Sequence, residues 1–323
     1  MKLQRRELLL GALATGLYRT GSAQIGSQFG IAPPVPTALW PGEAPGMPIR
    51  VPTESLVERS TDSENSDRAI TGISLPRLEM FRPENSNGAS LMIIPGGGYQ
   101  HVTIDKEGFD PALWFAARGF TVFVLIYRLP GDSWVAGPDV ALSDAQRGIR
   151  LIRSRADDYG IDPVRVAALG FSAGGHVCAH LATRFDAATY EPIDSADTFS
   201  ARPFVAAPIY PVISMSAPIA HTGTREALIG KDARPQLERA QSAELTVSDD
   251  ACPCFLLHAE DDESVDIQNT LEFRAALHSR GIPVETHLFA HGGHGFGLRQ
   301  AQGKPVGQWP DLFMSWSQSM GLF

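Results

Sequence analysis

The chain has 323 residues, which is enough for one large α/β domain or two small ones. Its 20% of charged residues and 43% of hydrophobic residues are typical of a folded globular protein. The formal net charge of −9 argues against nucleic acid as the main partner, because phosphate binding requires a basic surface.

Residues 1–23 have the pattern of an export signal. Arg5 and Arg6 precede the apolar run 8–14, and residues 21–23 (Gly-Ser-Ala) are small enough for a cleavage site. The apolar run is too short to span a bilayer, so it predicts a signal of the twin-arginine or Sec type and no membrane span. We therefore expect a periplasmic or secreted bacterial protein.

Residues 24–67 predict an N-terminal arm and a connection. The stretch 31–52 is rich in proline and glycine and is expected to be extended, whereas 53–67 is polar and acidic and is expected to be exposed. Residues 68–323 are predicted to form one α/β catalytic domain.

In that domain, apolar runs alternate with helical patterns. The predicted strands are Ile70–Leu75, Leu78–Arg82, Ser90–Ile94, Thr121–Tyr127, Val164–Leu169, Phe204–Tyr210, Cys254–His258 and Val284–Phe289. The predicted helices are Asp110–Ala117, Ala141–Ala156, His176–Thr183 and Ile267–Ser279. Continuous apolar strands that alternate with helices predict a mostly parallel, doubly wound sheet flanked by helices, with a small cap or none.

Two details of this organisation remain open in the sequence. The first two strands are close enough in the chain to form a hairpin. The stretch 211–250 is longer than a crossover needs, and we expect it to contribute to a substrate-binding cover.

The pattern Gly-Phe-Ser-Ala-Gly at 170–174 is the strongest chemical signal. It lies between a predicted strand and a predicted helix, which is the context in which G-x-S-x-G forms a nucleophile elbow. Ser172 is therefore the candidate nucleophile. A serine hydroxyl is a weak nucleophile and requires a base and an orienting acid.

Two downstream loops contain that acid and base in the order this fold requires. The loop after Cys254–His258 contains the acidic run 260–263, in which Asp262 is the preferred acid and Asp261 the alternative. The loop after Val284–Phe289 contains His294, the preferred base, and His291, its alternative. Three further histidines are expected to be structural: His176, His180 and His258.

The glycine-rich loop 95–99 follows an early strand, where an oxyanion-binding loop belongs. We expect the backbone N–H groups of Gly97, Gly98 and Ala173 to face the developing oxyanion. Cys178, Cys252 and Cys254 are expected to be buried fillers, and no second Cys/His cluster supports a metal site. No cofactor is predicted.

Together these motifs resemble the α/β-hydrolase superfamily and, within it, the acetyl esterase and acetyl xylan esterase-like group, which is related to hormone-sensitive-lipase-type and feruloyl-esterase-like enzymes. The resemblance rests on the segments 39–46, 95–99, 127–128, 144–147, 170–176 and 291–296, which extend over most of the chain after the signal. It implies a triad of Ser172, Asp262 and His294. The lipase-type relatives carry histidine before the three glycines, where this chain has Pro95, which favours the carbohydrate-esterase side.

The resemblance implies a serine carboxylesterase that removes acetyl groups from plant polysaccharide or its oligosaccharides. A feruloyl or broad short-chain esterase is the enzymatic alternative, and a catalytically silent binding protein with this fold is the non-enzymatic one. Tyr99 is the favoured candidate for sugar stacking because it adjoins the oxyanion loop, ahead of Trp40, Trp134 and Trp309. The sequence does not determine the oligomeric state.

Overall fold

An eight-stranded sheet lies at the centre of the computed structural model, which describes residues 31–62 and 65–323. The strands are β1 (Val35–Ala38), β2 (Ser55–Glu58), β3 (Arg68–Thr71), β4 (Arg77–Phe81), β5 (Ser90–Ile94), β6 (Val102–Thr103), β7 (Thr121–Ile126), β8 (Val166–Phe171), β9 (Ala206–Ile209), β10 (Cys254–Ala259) and β11 (Val284–Phe289). The predicted export signal, 1–23, lies outside the described residues.

Helices connect most of these strands. They are α1 (Asp110–Ala116), α2 (Val140–Ser154), α3 (Ala156–Tyr159), α4 (Ser172–Thr183), α5 (Thr222–Ile229), α6 (Pro235–Ala240), α7 (Gln268–Ser279) and α8 (Trp309–Ser319). A π-helical turn, Asp105–Phe109, leads directly into α1. No helix in residues 31–62 and 65–323 is long and apolar enough to cross a membrane.

The strand order of the large sheet is β1-β4-β7-β5-β8-β9-β10-β11. The six strands from β7 to β11 in that order are parallel, and β4 and β1 add two antiparallel strands at one edge. The prediction of a mostly parallel, doubly wound sheet is confirmed.

Helices cover both faces of the sheet. On β7, Val124 lies beside Gly108 of the π-helical turn, and the next residue, Leu125, lies beside Gly148 of α2. Because successive strand residues point to opposite faces, α1 and α2 lie on different sides. The apolar strands therefore pack between two helical layers, and every residue of β5, β7 and β8 is buried.

The N-terminal arm is more ordered than the sequence predicted. Its strand β1 pairs with β4, and Trp40 is buried, with its Nε1 donating to Asp144 Oδ1 of α2 at 3.0 Å. Asp144 in turn binds Arg128 at 2.8 Å in a fully buried ion pair. The segments 39–46, 127–128 and 144–147 thus meet where the arm attaches to the domain.

The first two predicted strands do not form the hairpin that the sequence left open. β3 belongs to a separate three-stranded sheet with β2 and β6, whereas β4 pairs with β7 of the large sheet. Hairpin pairing depends on the turn between two strands, and here both strands find longer-range partners instead.

Two histidines of α4 are buried behind the elbow. His176 Nε2 donates to the Gln241 carbonyl at 2.8 Å, and Nδ1 accepts the hydroxyl of Tyr99 at 2.7 Å. Neither ring nitrogen of His180 has a hydrogen-bond partner of good geometry among the described residues. Burial lowers the pKa of His176 to about 4 and holds that of His180 well below its usual range.

These histidines make the fold acid-sensitive. The unfolded chain protonates both rings below pH ~6.5, whereas the folded protein resists, so stability falls as pH drops from about 6.5 toward 4. We expect His180→Leu to raise the free energy of unfolding by about 1–2 kcal/mol at pH 7, because it removes an unpaired buried polar group. The variant should also lose less stability than the wild-type protein as the pH is lowered. Urea denaturation at pH 7 and pH 5 measures both effects. His176→Leu is the control and should destabilise; stabilisation by both variants would contradict the assignment.

Candidate active site

Ser172 lies at the sharp junction of β8 and α4. It is the first residue of the helix and adopts φ +53°, in the left-handed region that is strained for a residue with a Cβ. A Cβ on Gly174 would lie 2.1 Å from the Ile94 carbonyl oxygen, so only glycine allows β5 to approach the elbow. The structure thus has the strand–turn–helix context expected for this motif, although α4 begins four residues before the predicted start.

The three side chains Ser172, His294 and Asp262 form a continuous hydrogen-bonded chain. His294 Nε2 lies 2.9 Å from Ser172 Oγ, and His294 Nδ1 lies 2.6 Å from Asp262 Oδ2. Because the carboxylate can only accept, Nδ1 carries the proton and Nε2 is free to accept the proton of Ser172. The whole Ser172 residue is 9% exposed.

The carboxylate of Asp262 is buried, with a side-chain exposure of 0%. Burial acts to raise its pKa, but hydrogen bonds from His258 and His294 and from the Val265 backbone outweigh burial and hold the pKa well below its usual range. Asp262 is therefore ionised at neutral pH and faces His294 as an acceptor.

The alternative acid and base lie elsewhere. Asp261 Oδ1 accepts the N–H groups of Gly292 and Gly293 at 2.8 Å each, and these bonds lower its pKa. The His291 side chain is 85% exposed and lies 3.3 Å from Asp261. Neither residue contacts Ser172; Asp261 instead fastens the loop that carries His294.

The glycine-rich loop lies next to Ser172 because β5 pairs with β8, with Ile94 opposite Gly170. Gly97 and Gly98 both adopt positive φ, and a Cβ on Gly97 would lie 2.1 Å from the His101 carbonyl oxygen. Ala173 is in the first turn of α4, where backbone N–H groups have no intrahelical acceptor. The three N–H groups predicted to bind an oxyanion thus lie on two adjacent segments.

A buried carboxylate that the sequence analysis missed ties these segments together. Glu107 Oε2 accepts the N–H of Gly96 at 3.0 Å, and Oε1 accepts the hydroxyl of Tyr210 at 3.0 Å. The same hydroxyl accepts the N–H of Gly297 at 3.2 Å. Glu107 therefore links the glycine-rich loop to the loop after β9 and to the histidine loop.

The aromatic candidates for sugar stacking are core residues. Tyr99 is only 3% exposed, and its hydroxyl binds His176 Nδ1, so the proposal that its ring stacks on a sugar is wrong. Its positive φ of 58° turns the side chain inward from the loop. The three tryptophans considered with it are also buried: Trp40, Trp134 and Trp309.

The segment 211–250 contributes α5 and α6 and lies against the glycine-rich loop. Thr224 Oγ1 would be 3.7 Å from a Cβ on Gly98, and Thr224 donates its N–H to His221 Nδ1 at 3.1 Å. Burial lowers the pKa of His221, and so does the nearby His294. This segment therefore lies beside the glycine-rich loop and near His294.

Comparisons with known proteins relate most of the chain to one family. The BD-FAE family, a group of α/β-hydrolases, matches residues 78–277. A solved structure of an acetyl ester-xyloside bifunctional hydrolase from Caldicellulosiruptor lactoaceticus is 34% identical with a TM-score of 0.70, and the match covers 84% of this chain and 98% of that one. The α/β-hydrolase fold predicted from the sequence is thereby confirmed.

Two curated relatives are longer proteins. Endo-1,4-beta-xylanase B of Butyrivibrio fibrisolvens is 35% identical over 205 residues, which are 64% of this chain and 32% of that protein. An acetylxylan esterase of Xylanibacter ruminicola is 30% identical over 227 residues, which are 69% of this chain and 44% of that protein. The chain thus matches less than half the length of each.

The strain at residue 172 can be measured directly. Alanine keeps the Cβ at φ +53°, whereas glycine adopts this conformation freely, so we expect Ser172→Gly to be about 1 kcal/mol more stable than Ser172→Ala. Urea denaturation of the two variants gives the difference. Equal stability, or a more stable alanine variant, would mean that the turn is not strained.

Proposed function

Because the chain belongs to the BD-FAE family of α/β-hydrolases, we propose that it is a serine carboxylesterase that removes acetyl groups from xylan-type polysaccharide or its oligosaccharides. The hydrogen-bonded chain from Ser172 through His294 to Asp262 carries this proposal. It provides a nucleophile, a base and an orienting acid in the arrangement that acyl transfer requires.

In the proposed reaction, Ser172 Oγ attacks the ester carbonyl while His294 Nε2 takes its proton. The imidazolium, stabilised by ionised Asp262, then protonates the leaving alcohol, and the acyl group remains on Ser172. Water, activated by His294, attacks the acyl-enzyme and releases the acid, which restores the serine. The N–H groups of Gly97, Gly98 and Ala173 are proposed to stabilise the oxyanion in both steps.

The substrate class is supported by the related proteins. The relative from Xylanibacter ruminicola is named an acetylxylan esterase, and the structure from Caldicellulosiruptor lactoaceticus an acetyl ester-xyloside hydrolase. Pro95 before the three glycines, where lipase-type relatives have histidine, agrees with this carbohydrate-esterase side. The export predicted from residues 1–23 would place the protein where such polymers occur.

A feruloyl or broad short-chain esterase is the alternative within the same chemistry. We propose to measure acid release from acetylated xylan, methyl ferulate and longer acyl esters side by side. Acetylated xylan should be the preferred substrate of the three; preference for methyl ferulate would transfer the assignment to feruloyl esters.

The nucleophile can be tested by replacing Ser172. Ser172→Ala should abolish p-nitrophenyl acetate hydrolysis, because the variant has no hydroxyl to form the acyl-enzyme. A fluorophosphonate should label the wild-type protein at Ser172 and leave the variant unlabelled, and peptide mass spectrometry identifies the site. Absence of labelling in a folded wild-type protein would favour the catalytically silent binding protein.

Glu107 should matter for turnover although it does not contact Ser172 Oγ. Glu107→Gln replaces an acceptor with an amide that cannot accept from Gly96 and Tyr210 together, so we expect kcat to fall about 10- to 100-fold. Asp105→Asn is the matched control: Asp105 is a buried carboxylate two residues away that binds Arg68. It should lower stability and leave kcat close to the wild-type value. Equal kcat losses in the two variants would refute a specific role for Glu107.

A further inference from the structure

A second imidazole contacts the acid of the site. His258, the fifth residue of β10, has its Nε2 3.1 Å from Asp262 Oδ2, the oxygen that His294 also contacts. Both side chains of this pair have an exposure of 0%. From the sequence, His258 was expected to have a structural role.

We propose that His258 is a positioning residue that holds the Asp262 carboxylate aimed at His294. This inference rests on the proposed esterase reaction, because it concerns the acid of that reaction. His258 makes hydrogen bonds to Thr270, Asp262 and Val265 and none to Ser172, so it acts through Asp262.

The surroundings of His258 fix which nitrogen carries a proton. Its Nε2 faces two oxygens, Asp262 Oδ2 and the Val265 carbonyl, each at 3.1 Å. A carboxylate and a carbonyl can only accept, so Nε2 donates to them. Nδ1 lies 2.7 Å from the Thr270 hydroxyl of α7, which can donate to it. The ring is therefore held on both sides.

With His258 in place, both oxygens of Asp262 have two donors. Oδ1 accepts the N–H groups of Ser264 and Val265 at 2.9 Å each, and Oδ2 accepts from His258 and His294. A carboxylate with this many donors strongly favours the ionised form and has little freedom to rotate. Without His258, Asp262 Oδ2 would keep its hydrogen bond from His294 and lose the second donor.

Removing the His258 donor changes the electrostatic interaction between Asp262 and His294. A carboxylate with fewer donors interacts more strongly with its remaining partner His294, so we expect the acid limb of the activity profile to move to higher pH. Other titratable groups also lie near this pair: Tyr210, whose ring centroid is 5.1 Å from that of His294, His221 of the segment 211–250, and Lys106 and Glu107, which lie beside Gly295. A substitution at His258 replaces none of these side chains.

The test compares His258→Leu with His258→Gln. Leucine fits an apolar strand but removes the donor, whereas the glutamine amide can donate from nearly the same position. We expect His258→Leu to lower kcat about 10- to 100-fold with little change in KM, and to shift the acid limb of the kcat/KM profile to higher pH. His258→Gln should recover most of the lost kcat and return the limb toward the wild-type position.

A purely structural role predicts a different result. Both variants would then lose activity in proportion to their loss of stability in urea, without a shift of the acid limb, and this outcome would overturn the inference. Wild-type kcat in a folded His258→Leu protein would overturn it as well.

A readout without turnover separates this inference from the proposed function. The downfield region of the proton NMR spectrum of the wild-type protein should show two imidazole N–H signals, from His258 Nε2 and His294 Nδ1. Asp262→Asn should shift both signals. In His258→Leu, one signal should disappear and the other should move. An unmoved His294 signal in His258→Leu would reject the positioning role. Failure of the proposed function would be seen separately, as esterase activity that survives in Ser172→Ala.

Discussion

The buried carboxylate of Glu107 is the interaction on which the geometry of the site depends. It binds the N–H of Gly96 and the hydroxyl of Tyr210, and that hydroxyl binds the N–H of Gly297. Three loops that follow three different strands are thus joined through one side chain from a π-helical turn. A carboxyl group at 3% exposure is unfavourable unless its oxygens are hydrogen-bonded, so the loops and the Glu107 side chain stabilise each other.

The sheet makes this arrangement possible because the parallel strands end at the same edge. The pairing of β5 with β8 places the glycine-rich loop beside Ser172, and the pairing of β10 with β11 places the acid loop beside the histidine loop. These relations follow from strand order, which apolar runs and intervening helices predict well. Sequence patterns described poorly the strands that pair with distant segments. These are β1, a short strand in a proline-rich arm, and β3 and β4, for which a hairpin was left open.

Within the site, the positions of the serine, acid and histidine loops could be predicted because each loop follows a recognisable strand. Glu107 and His258 could not be assigned in this way. Glu107 follows no strand motif and acts through backbone N–H groups, which leave no pattern in the sequence, and His258 reads as one polar residue in an apolar strand. The side chain of Tyr99 points inward because the residue has a positive φ, and the sequence pattern of a tyrosine after three glycines does not predict that conformation.

The N-terminal strand β1 also protects the protein from aggregation. All five residues of β4 are buried, and β1 pairs with their backbone along the edge of the large sheet. An uncovered β4 would present unpaired N–H and C=O groups beside apolar side chains, which is a template for aggregation. Proteolytic trimming of the arm is therefore tolerable only upstream of Val35, because a cut beyond Ala38 would remove β1 and expose the backbone of β4 to pairing with another chain.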